Sequence, residues 1–416
     1  MTSRLLAVGG AALLLTVSAG IALRHTAEKA PAPTAQTASP TARLESFVAK
    51  TRQRLDRVPG DWPGWAELGM AYVQLARVGS DPGNYALAET ALARSLSITP
   101  AASNAPALTG QAALAAARHD FTAAVGHARS AVRVDAYSAD AYGALADGLI
   151  ELGRYPEGFA AIDRMMELRP DTSSYGRASY AAELRGQTDR ASALMEQARE
   201  FAADPAELTF ALQHLAELDL GRGDLDGAAA TLDGALARFP GHPPLVVAHA
   251  RLLAARGETA RAIEELRPIV ARLPLPAYAT LLGTLLATTG APEEARQQFA
   301  LVDAARRLGA PDIDTVLFEA DHGDPARAVR DARELHRVRG SIGADDALAW
   351  ALHSAGQDAE ALRWSDRALR LGTRDAMLRH HRAMIHEALG HVAQARADLA
   401  AARAINPSYP AMAGGR

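Results

Sequence analysis

The sequence predicts an all-α protein built as an array of helical hairpins, and the hairpin is clearest between residues 140 and 170. Its first half spaces apolar residues three or four positions apart, the period of one helix face: Tyr142, Leu145, Ala146 and Leu149. Gly153 ends this helix because glycine readily adopts the left-handed conformation that closes a helix. Pro156 begins a second helix and Pro170 ends it. Since one hairpin cannot bury its apolar side alone, the pattern predicts stacked neighbours.

Two features of this hairpin recur along the chain. A small residue, where the paired helices would cross, stands at Ala88, Ala124, Gly158, Ala191, Ala228, Ala262, Ala295, Ala328, Ala361 and Ala395. Five residues earlier stand Gly83, Gly153, Gly186, Gly223, Gly257, Gly290, Gly323, Gly356 and Gly390, and only the second repeat departs, with His119. The recurrence predicts ten hairpins, each with a tight turn and closely packed helices.

Composition and charge exclude several classes of function. A net charge of −4 and a pI near 6.4, with no basic run, argue against general nucleic-acid binding. The chain has no cysteine, which excludes disulfides, thiolate metal ligands and a cysteine nucleophile. Because neither a Gly-Xaa-Ser-Xaa-Gly elbow nor a phosphate-binding loop is present, we predict no enzyme, no catalytic residue and no cofactor.

The amino-terminal sequence predicts export. Nineteen residues from Leu5 to Leu23 carry no charge and nearly span a bilayer core as a helix. Residues 1–24 are predicted to be a signal peptide or a signal-anchor helix; small residues suit cleavage, whereas the apolar length exceeds that of most signal peptides. Residues 25–43 form an Ala/Pro/Thr-rich linker. The predicted location is therefore extracytoplasmic, either anchored in the cell membrane by the amino-terminal helix or secreted after cleavage.

The motif Trp65, Leu68, Gly69 and Tyr72 has the spacing of the first helix of a tetratricopeptide repeat. From about residue 62 to 407 the chain resembles this family. The resemblance implies a right-handed superhelical solenoid of about ten tetratricopeptide repeats, whose first helices line a concave groove. It also assigns residues 44–407 to the array with a leading cap helix, and residues 408–416 to a tail.

The histidine-rich carboxy-terminal region holds no predicted metal site. His386, Glu387 and His391 resemble the zinc-binding HExxH motif, but these histidines are five residues apart instead of four. On one continuous helix they would point about 140° apart, so one ion could not take both without distortion. Helical spacing alone does not make His380 and His381 converge with them, and we predict no metal ligand.

Function is expected in the groove, since repeat proteins bind extended partners on that surface. The family's groove positions correspond to Asp140, Asp147, Glu151, Tyr180, Glu183, Gln213 and Glu217 in the first half. The second half carries Arg251, Thr284, Asp321, Asp346, Trp350, His353, His380, Met384 and Glu387. Acidic residues outnumber basic ones in both halves.

The carboxy-terminal end of this groove is the best-equipped part. We expect Trp350 to be exposed beside His353, His380 and Met384, as an adaptable apolar contact surface. Asp346 and Glu387 flank it with negative charge. The alternative is that Trp350 packs between repeats as core.

These patterns predict a non-catalytic scaffold or adaptor that binds a peptide or protein partner in its groove, outside the cytoplasmic membrane. The expected partner segment carries an apolar anchor and basic residues, and no nucleic acid is involved. An anchor followed by such repeats also resembles chaperones of apocytochrome c in cytochrome c maturation, which is the alternative function.

Overall fold

The structure is a computed structural model that describes residues 40–79 and 81–409, and these residues form α-helices and one 3-10 turn but no β-strand. A leading helix, α1 (Pro40–Arg57), precedes ten helical hairpins. The first helices are α2 (Trp62–Gly79), α4 (Ala105–Ala117), α6 (Ala139–Glu151), α8 (Thr172–Leu184), α10 (Pro205–Gly221), α12 (Pro243–Ala255), α14 (Pro276–Thr288), α16 (Ile313–His322), α18 (Ile342–Ser354) and α20 (Ala376–Ala388). The second helices are α3 (Gly83–Ile98), α5 (Phe121–Val134), α7 (Tyr155–Leu168), α9 (Thr188–Glu200), α11 (Leu225–Arg238), α13 (Thr259–Arg272), α15 (Pro292–Leu308), α17 (Pro325–Val338), α19 (Asp358–Ala368) and α21 (Val392–Ile405). The predicted all-α repeat architecture is confirmed.

The described helices belong to two compact units. The amino-terminal unit comprises residues 40–178 and 203–207, and the carboxy-terminal unit comprises residues 179–202 and 208–409. The division falls within α8, so this helix contributes residues to both units.

Local sequence signals determine where many helices begin. Asp120, Asp224 and Asp324 each precede a second helix and accept a hydrogen bond from a backbone N–H of its first turn. Asp312 and Thr315 form a reciprocal capping box at the start of α16. Proline occupies the first or second position of α7, α14 and α15, where its missing N–H leaves no hydrogen bond unmade. These signals fix which side chains each helix presents to its partner.

The turns inside the hairpins follow the recurring glycine with two exceptions. Positive φ values occur at Gly153, Gly186, Gly223, Gly257, Gly290, Gly356 and Gly390, and His119 takes the same role in the second repeat with a φ of 61°. Gly323 has a φ of −111°, and there the buried Glu319 carboxylate occupies the space that a Cβ would take. Gly83 is the first residue of α3, so the expected left-handed turn is wrong at that position.

The recurring small residues lie where the paired helices cross. Ala124, Ala191, Ala228, Ala262, Ala328 and Ala361 are completely buried. At Gly158 an added Cβ would lie 2.9 Å from the Ile150 side chain, so the helices pack closely only without it. Around these crossings Leu92, Leu232 and Leu266 fill the core with almost no exposure. Close crossing of the helices therefore follows directly from the sequence repeat.

The last repeat of the carboxy-terminal unit contacts repeats that are distant in sequence. The Thr373 hydroxyl donates to the Leu184 carbonyl at 2.6 Å, and the Asn406 amide donates to the Leu220 carbonyl at 2.8 Å. Thr373 and Asn406 are both buried. The expectation that each repeat contacts mainly its neighbours is therefore incomplete, since α20 and α21 return to the turns that follow α8 and α10.

The predicted membrane location is not supported. Among the helices that the structure describes, none has the length and apolar character needed to cross a bilayer. The stretch Leu5–Leu23, on which the prediction rested, lies outside the described residues. The extracytoplasmic, membrane-anchored location is corrected on this finding.

Candidate partner-binding site

Polar side chains on the first helices contact one another from repeat to repeat. In the amino-terminal unit, Arg177 of α8 binds Asp147 of α6 through two hydrogen bonds of 2.7 and 2.8 Å. Arg177 also donates to the Ser173 hydroxyl, and its side chain is only 4% exposed. Burial lowers the pKa of the neighbouring Arg77 to about 10, although the Asp147 carboxylate acts in the opposite direction. Here one predicted groove carboxylate is neutralised by the protein itself.

Three similar contacts join first helices in the carboxy-terminal unit. Arg251 of α12 lies 3.5 Å from Glu217 of α10. The Trp350 indole of α18 donates to Asp321 of α16 at 2.8 Å. The remaining pair joins the buried residues His381 of α20 and Asp346 of α18, 2.9 Å apart. These contacts place the predicted groove residues of successive repeats side by side.

Trp350 is not the exposed anchor that the sequence predicts. Its side chain is buried, with 6% exposure, and its ring stacks on His381 at a centroid distance of 4.0 Å. Hydrogen bonding to Asp321 and packing among the apolar residues of α16, α17 and α19 complete its surroundings. The alternative interpretation, Trp350 as inter-repeat core, is therefore the correct one, because its indole lies between Asp321 of α16 and His381 of α20.

The other residues predicted at the carboxy-terminal end of the groove differ from one another in their burial and in their contacts. His353 pairs with Asp358 at 2.5 Å, and Met384 packs against the core of α16 to α19. Burial lowers the pKa of His380 to about 4, with the neighbouring His381 acting in the same direction. Of the residues predicted at this end, only Glu387 is exposed.

In the first half of the predicted groove, burial also varies. Glu151 is buried, whereas Asp147, Tyr180, Glu183 and Glu217 are half-buried. These four therefore retain a surface that a ligand can reach.

Several carboxyl groups of the carboxy-terminal unit have raised pKa values. Burial, with Asp375 and Glu217 nearby, raises the pKa of Glu183 to about 8. Burial raises the pKa of Asp321 to about 7, against the opposing effect of the Trp350 hydrogen bond. Burial likewise raises the pKa of Asp314 to about 6 and that of Asp375 above its usual range. Burial is the main cause of each shift, so it disfavours the ionised form of these carboxyl groups.

A cavity of about 640 Å³ opens where α20 and α21 meet the turns after α8 and α10. Glu183, Glu217, Asp375 and Tyr409 line it, together with three arginines, Arg190, Arg222 and Arg374. The Tyr409 hydroxyl and the Glu217 Oε2 are buried without a hydrogen-bond partner among the described residues. Native proteins pair most buried polar atoms, so this cavity combines space with unused hydrogen-bonding capacity.

His386 and His391 come closer than a continuous helix would allow. Their Nδ1 atoms are 3.2 Å apart, because α20 ends at the Gly390 turn and the chain reverses before His391. Asp398 lies 3.9 Å from His386. No group of three or more metal-ligating side chains converges in the part of the chain that the structure describes.

Sequence reasoning missed Asp375 and Tyr409. Asp375 caps α20 by accepting from the backbone N–H groups of Met377 and Leu378, and it lies outside the helix positions that the family pattern assigns to the groove. Tyr409 follows the last helix, in a segment predicted to be a tail. The aspartate before an apolar-periodic helix was the available signal for the cap. No pattern in the sequence places Tyr409 beside α8 and α10.

Residues 219–285 match the family model described as tetratricopeptide repeat. This segment of the chain therefore has the tetratricopeptide-repeat sequence pattern. The exported bacterial type predicted for it is not confirmed. No curated protein matches the chain.

Three solved structures are similar in fold to this chain. The human IFIT1 dimer with m7Gppp-AAAA is 16% identical with a TM-score of 0.49, covering 80% of this chain and 78% of that one. The APC/C hetero-tetramer Cut9-Hcn1 is 14% identical with a TM-score of 0.40, covering 89% and 94%. A thermophilic TPR protein of Thermus thermophilus, TTC0263, is 22% identical with a TM-score of 0.39, covering 44% and 98%. Likenesses at this level support no argument about function.

Proposed function

We propose that this protein is a non-catalytic scaffold that binds a protein or peptide partner on the first helices of its carboxy-terminal unit. Tetratricopeptide repeats are generally protein-binding modules without catalytic activity. Stacked repeats create extended surfaces that suit such partners.

One observation supports this surface above all. Buried polar atoms without a hydrogen-bond partner among the described residues recur on its first helices: Glu217 Oε2, Arg251 Nε, Thr280 Oγ1, Asp346 Oδ1 and His381 Nε2. A buried polar atom left unpaired costs about 1–3 kcal/mol. These atoms lie on α10, α12, α14, α18 and α20, and a partner whose polar groups reach them would supply the missing hydrogen bonds.

The charge of this surface favours a basic partner segment. Glu183, Asp314, Asp321 and Asp375 have raised pKa values, which means that their negative charges are poorly compensated within the protein. A lysine or arginine side chain would stabilise their ionised forms. The apolar part of the expected partner has less support, because Trp350 is enclosed by the protein.

The described residues do not support the apocytochrome chaperone alternative. It depended on an extracytoplasmic location, which the described helices do not support. No described residue favours a haem-binding peptide over another basic segment.

Site-specific photocrosslinking in the native host tests the proposal. A photoreactive amino acid replaces Met384 or Glu387 on α20, and the matched controls replace Arg363 on α19 or Arg396 on α21, which are exposed on second helices. We expect one protein partner to crosslink from the α20 positions and not from the controls. Equal crosslinking from both sides, or none from α20, would contradict the assignment of the binding surface.

A further inference from the structure

We propose that the cavity between α8, α10, α20 and α21 binds an organic cation, a primary ammonium or guanidinium group, through Glu183, Glu217, Asp375 and the Tyr409 hydroxyl. The inference rests on the cavity alone and does not require the scaffold function. The cation can belong to a lysine or arginine side chain of a partner or to a free amine, and both present the same chemistry to the site.

The inner wall of this cavity consists of hydrogen-bond acceptors. Glu183 makes no side-chain hydrogen bond or ion pair within the described part of the chain. Glu217 uses one oxygen toward Gln213 and Arg251, and its Oε2 stays unpaired. Asp375 uses one oxygen to cap α20. These carboxylates offer free acceptor positions on three different helix ends, which suits a donor with several N–H groups.

Tyr409 provides a second observation that is independent of the carboxylates. It is 8% exposed, and its hydroxyl has no hydrogen-bond partner among the described residues. Burial, together with the negative charges of Asp375, Asp346 and Asp321, raises its pKa well above the usual range, so the hydroxyl stays neutral. A neutral hydroxyl surrounded by carboxylates can accept a hydrogen bond from a bound cation.

The three arginines that line the cavity do not neutralise this wall. Arg222 is engaged by Asp219 and Asp224. Arg190 and Arg374 are exposed, and neither forms an ion pair with Glu183 or Asp375 within the described residues. The charge of the inner wall is therefore available to a ligand, while the basic residues lie toward solvent.

The size and ligand set of the cavity favour an organic cation over a metal ion. No three metal-ligating side chains of the described residues converge closely enough to hold an ion. A volume of about 640 Å³ is far larger than a metal ion needs and is typical of small-molecule pockets. Separated acceptors in such a space match a flat guanidinium or an alkylammonium group.

Isothermal titration calorimetry on the full chain at pH 7 tests the proposal with two probes. Agmatine represents a free amine, and the peptide acetyl-Ala-Ala-Arg-Ala-Ala-amide represents a partner side chain. The same peptide with citrulline in place of arginine is the neutral control of matched shape. We expect at least one cationic probe to bind at least tenfold more tightly than the citrulline peptide, and the stronger of the two identifies the source of the cation.

Proton release provides a second readout. Because a bound cation stabilises the ionised form of Glu183, binding should release between about half a proton and one proton, measured in buffers of different ionisation enthalpy. Glu183→Gln should abolish the release and weaken binding at least tenfold, and Glu217→Gln should weaken binding with the release retained. The control Glu196→Gln, on the exposed face of α9, should change neither.

Any one of three results would overturn the inference. They are no binding of either cationic probe at millimolar concentration, equal binding of the citrulline peptide, or unchanged binding by both Glu183→Gln and Glu217→Gln. Circular dichroism of each variant shows whether it is folded. If no partner crosslinks from α20 although a cationic probe binds the cavity, the scaffold proposal is refuted and the inference about the cavity is not.

Discussion

The two units compensate the charge of their carboxylates differently along the first helices. In the amino-terminal unit, Asp147 faces the guanidinium groups of Arg177 and Arg77, and the Asp147–Arg177 pair is closed by two hydrogen bonds. In the carboxy-terminal unit, Glu183 and Asp375 lie near each other with raised pKa values and no guanidinium partner among the described residues.

The comparison shows that carboxylates on the first helices and at their caps serve two purposes. A carboxylate that meets an arginine of the next repeat stabilises the stack, whereas a carboxylate that meets another carboxylate lowers stability and leaves binding capacity. Buried ion pairs are costly to break from one side, because the remaining charge has lost its hydration. The following variants measure this difference, from the largest expected effect to the smallest.

Arg177→Ala should produce the largest loss of stability. It removes the two hydrogen bonds that Asp147 accepts from Arg177 inside the amino-terminal unit, and we expect a loss of about 3 kcal/mol, near the lower end for a buried pair because Asp147 is 26% exposed and Arg77 remains nearby. Urea unfolding measures it. The double variant Arg177→Met with Asp147→Leu should recover most of the loss, and a loss below about 1 kcal/mol for Arg177→Ala would show that the pair is not structural.

Trp350→Phe tests the hydrogen bond between the Trp350 indole and Asp321 in the carboxy-terminal unit. The substitution removes the indole N–H that Asp321 accepts while keeping an aromatic ring against His381. We expect a loss of about 1–3 kcal/mol at pH 8, where Asp321 is ionised and left unsatisfied. Trp364→Phe, whose indole makes a longer contact of 3.5 Å to Glu360, is the control and should lose less. Equal losses would mean that the Asp321 hydrogen bond contributes nothing.

Glu183→Gln should increase stability at pH 8, whereas the two preceding variants decrease it. The pKa of Glu183 rises from 4.5 to about 8 on folding, so the folded state holds a proton that the unfolded chain releases over this pH range. The contribution of Glu183 to stability therefore falls as pH rises from about 4.5 to 8. Glutamine removes this dependence, and thermal unfolding should show a variant that is more stable than the wild type at pH 8 but not at pH 4. A wild-type pH profile in the variant would contradict the raised pKa.

Arg129→Ala should have the smallest effect. Arg129 pairs with Glu157 on the second helices of the amino-terminal unit, and both side chains are more than 40% exposed. Exposed pairs contribute between about 0 and 1 kcal/mol and weaken with salt. We expect a change within that range by urea unfolding. A loss as large as that of Arg177→Ala would show that this exposed pair contributes as much stability as the buried Asp147–Arg177 pair.

The repeat itself was predictable from sequence because its determinants are local. Gly153 and Gly257 close turns with positive φ, and Ala124 and Ala262 are fully buried at helix crossings. Each of these requirements depends on residues within one hairpin, so periodicity reveals it. The candidate site was only partly predictable: Glu183 and Glu217 follow from groove positions, whereas Asp375 and Tyr409 do not.

The amino-acid sequence by itself determined the hairpins, their number and the acidic character of the first helices. Only the tertiary structure decided which of those acidic residues are neutralised and which line a cavity. Asp147 meets Arg177 thirty residues away, but Glu183 meets Asp375 because the last repeat returns to the turns after α8 and α10. Whether a charge is paired depends on the low-dielectric surroundings and on partners that the fold brings from far along the chain, and no local pattern contains that information.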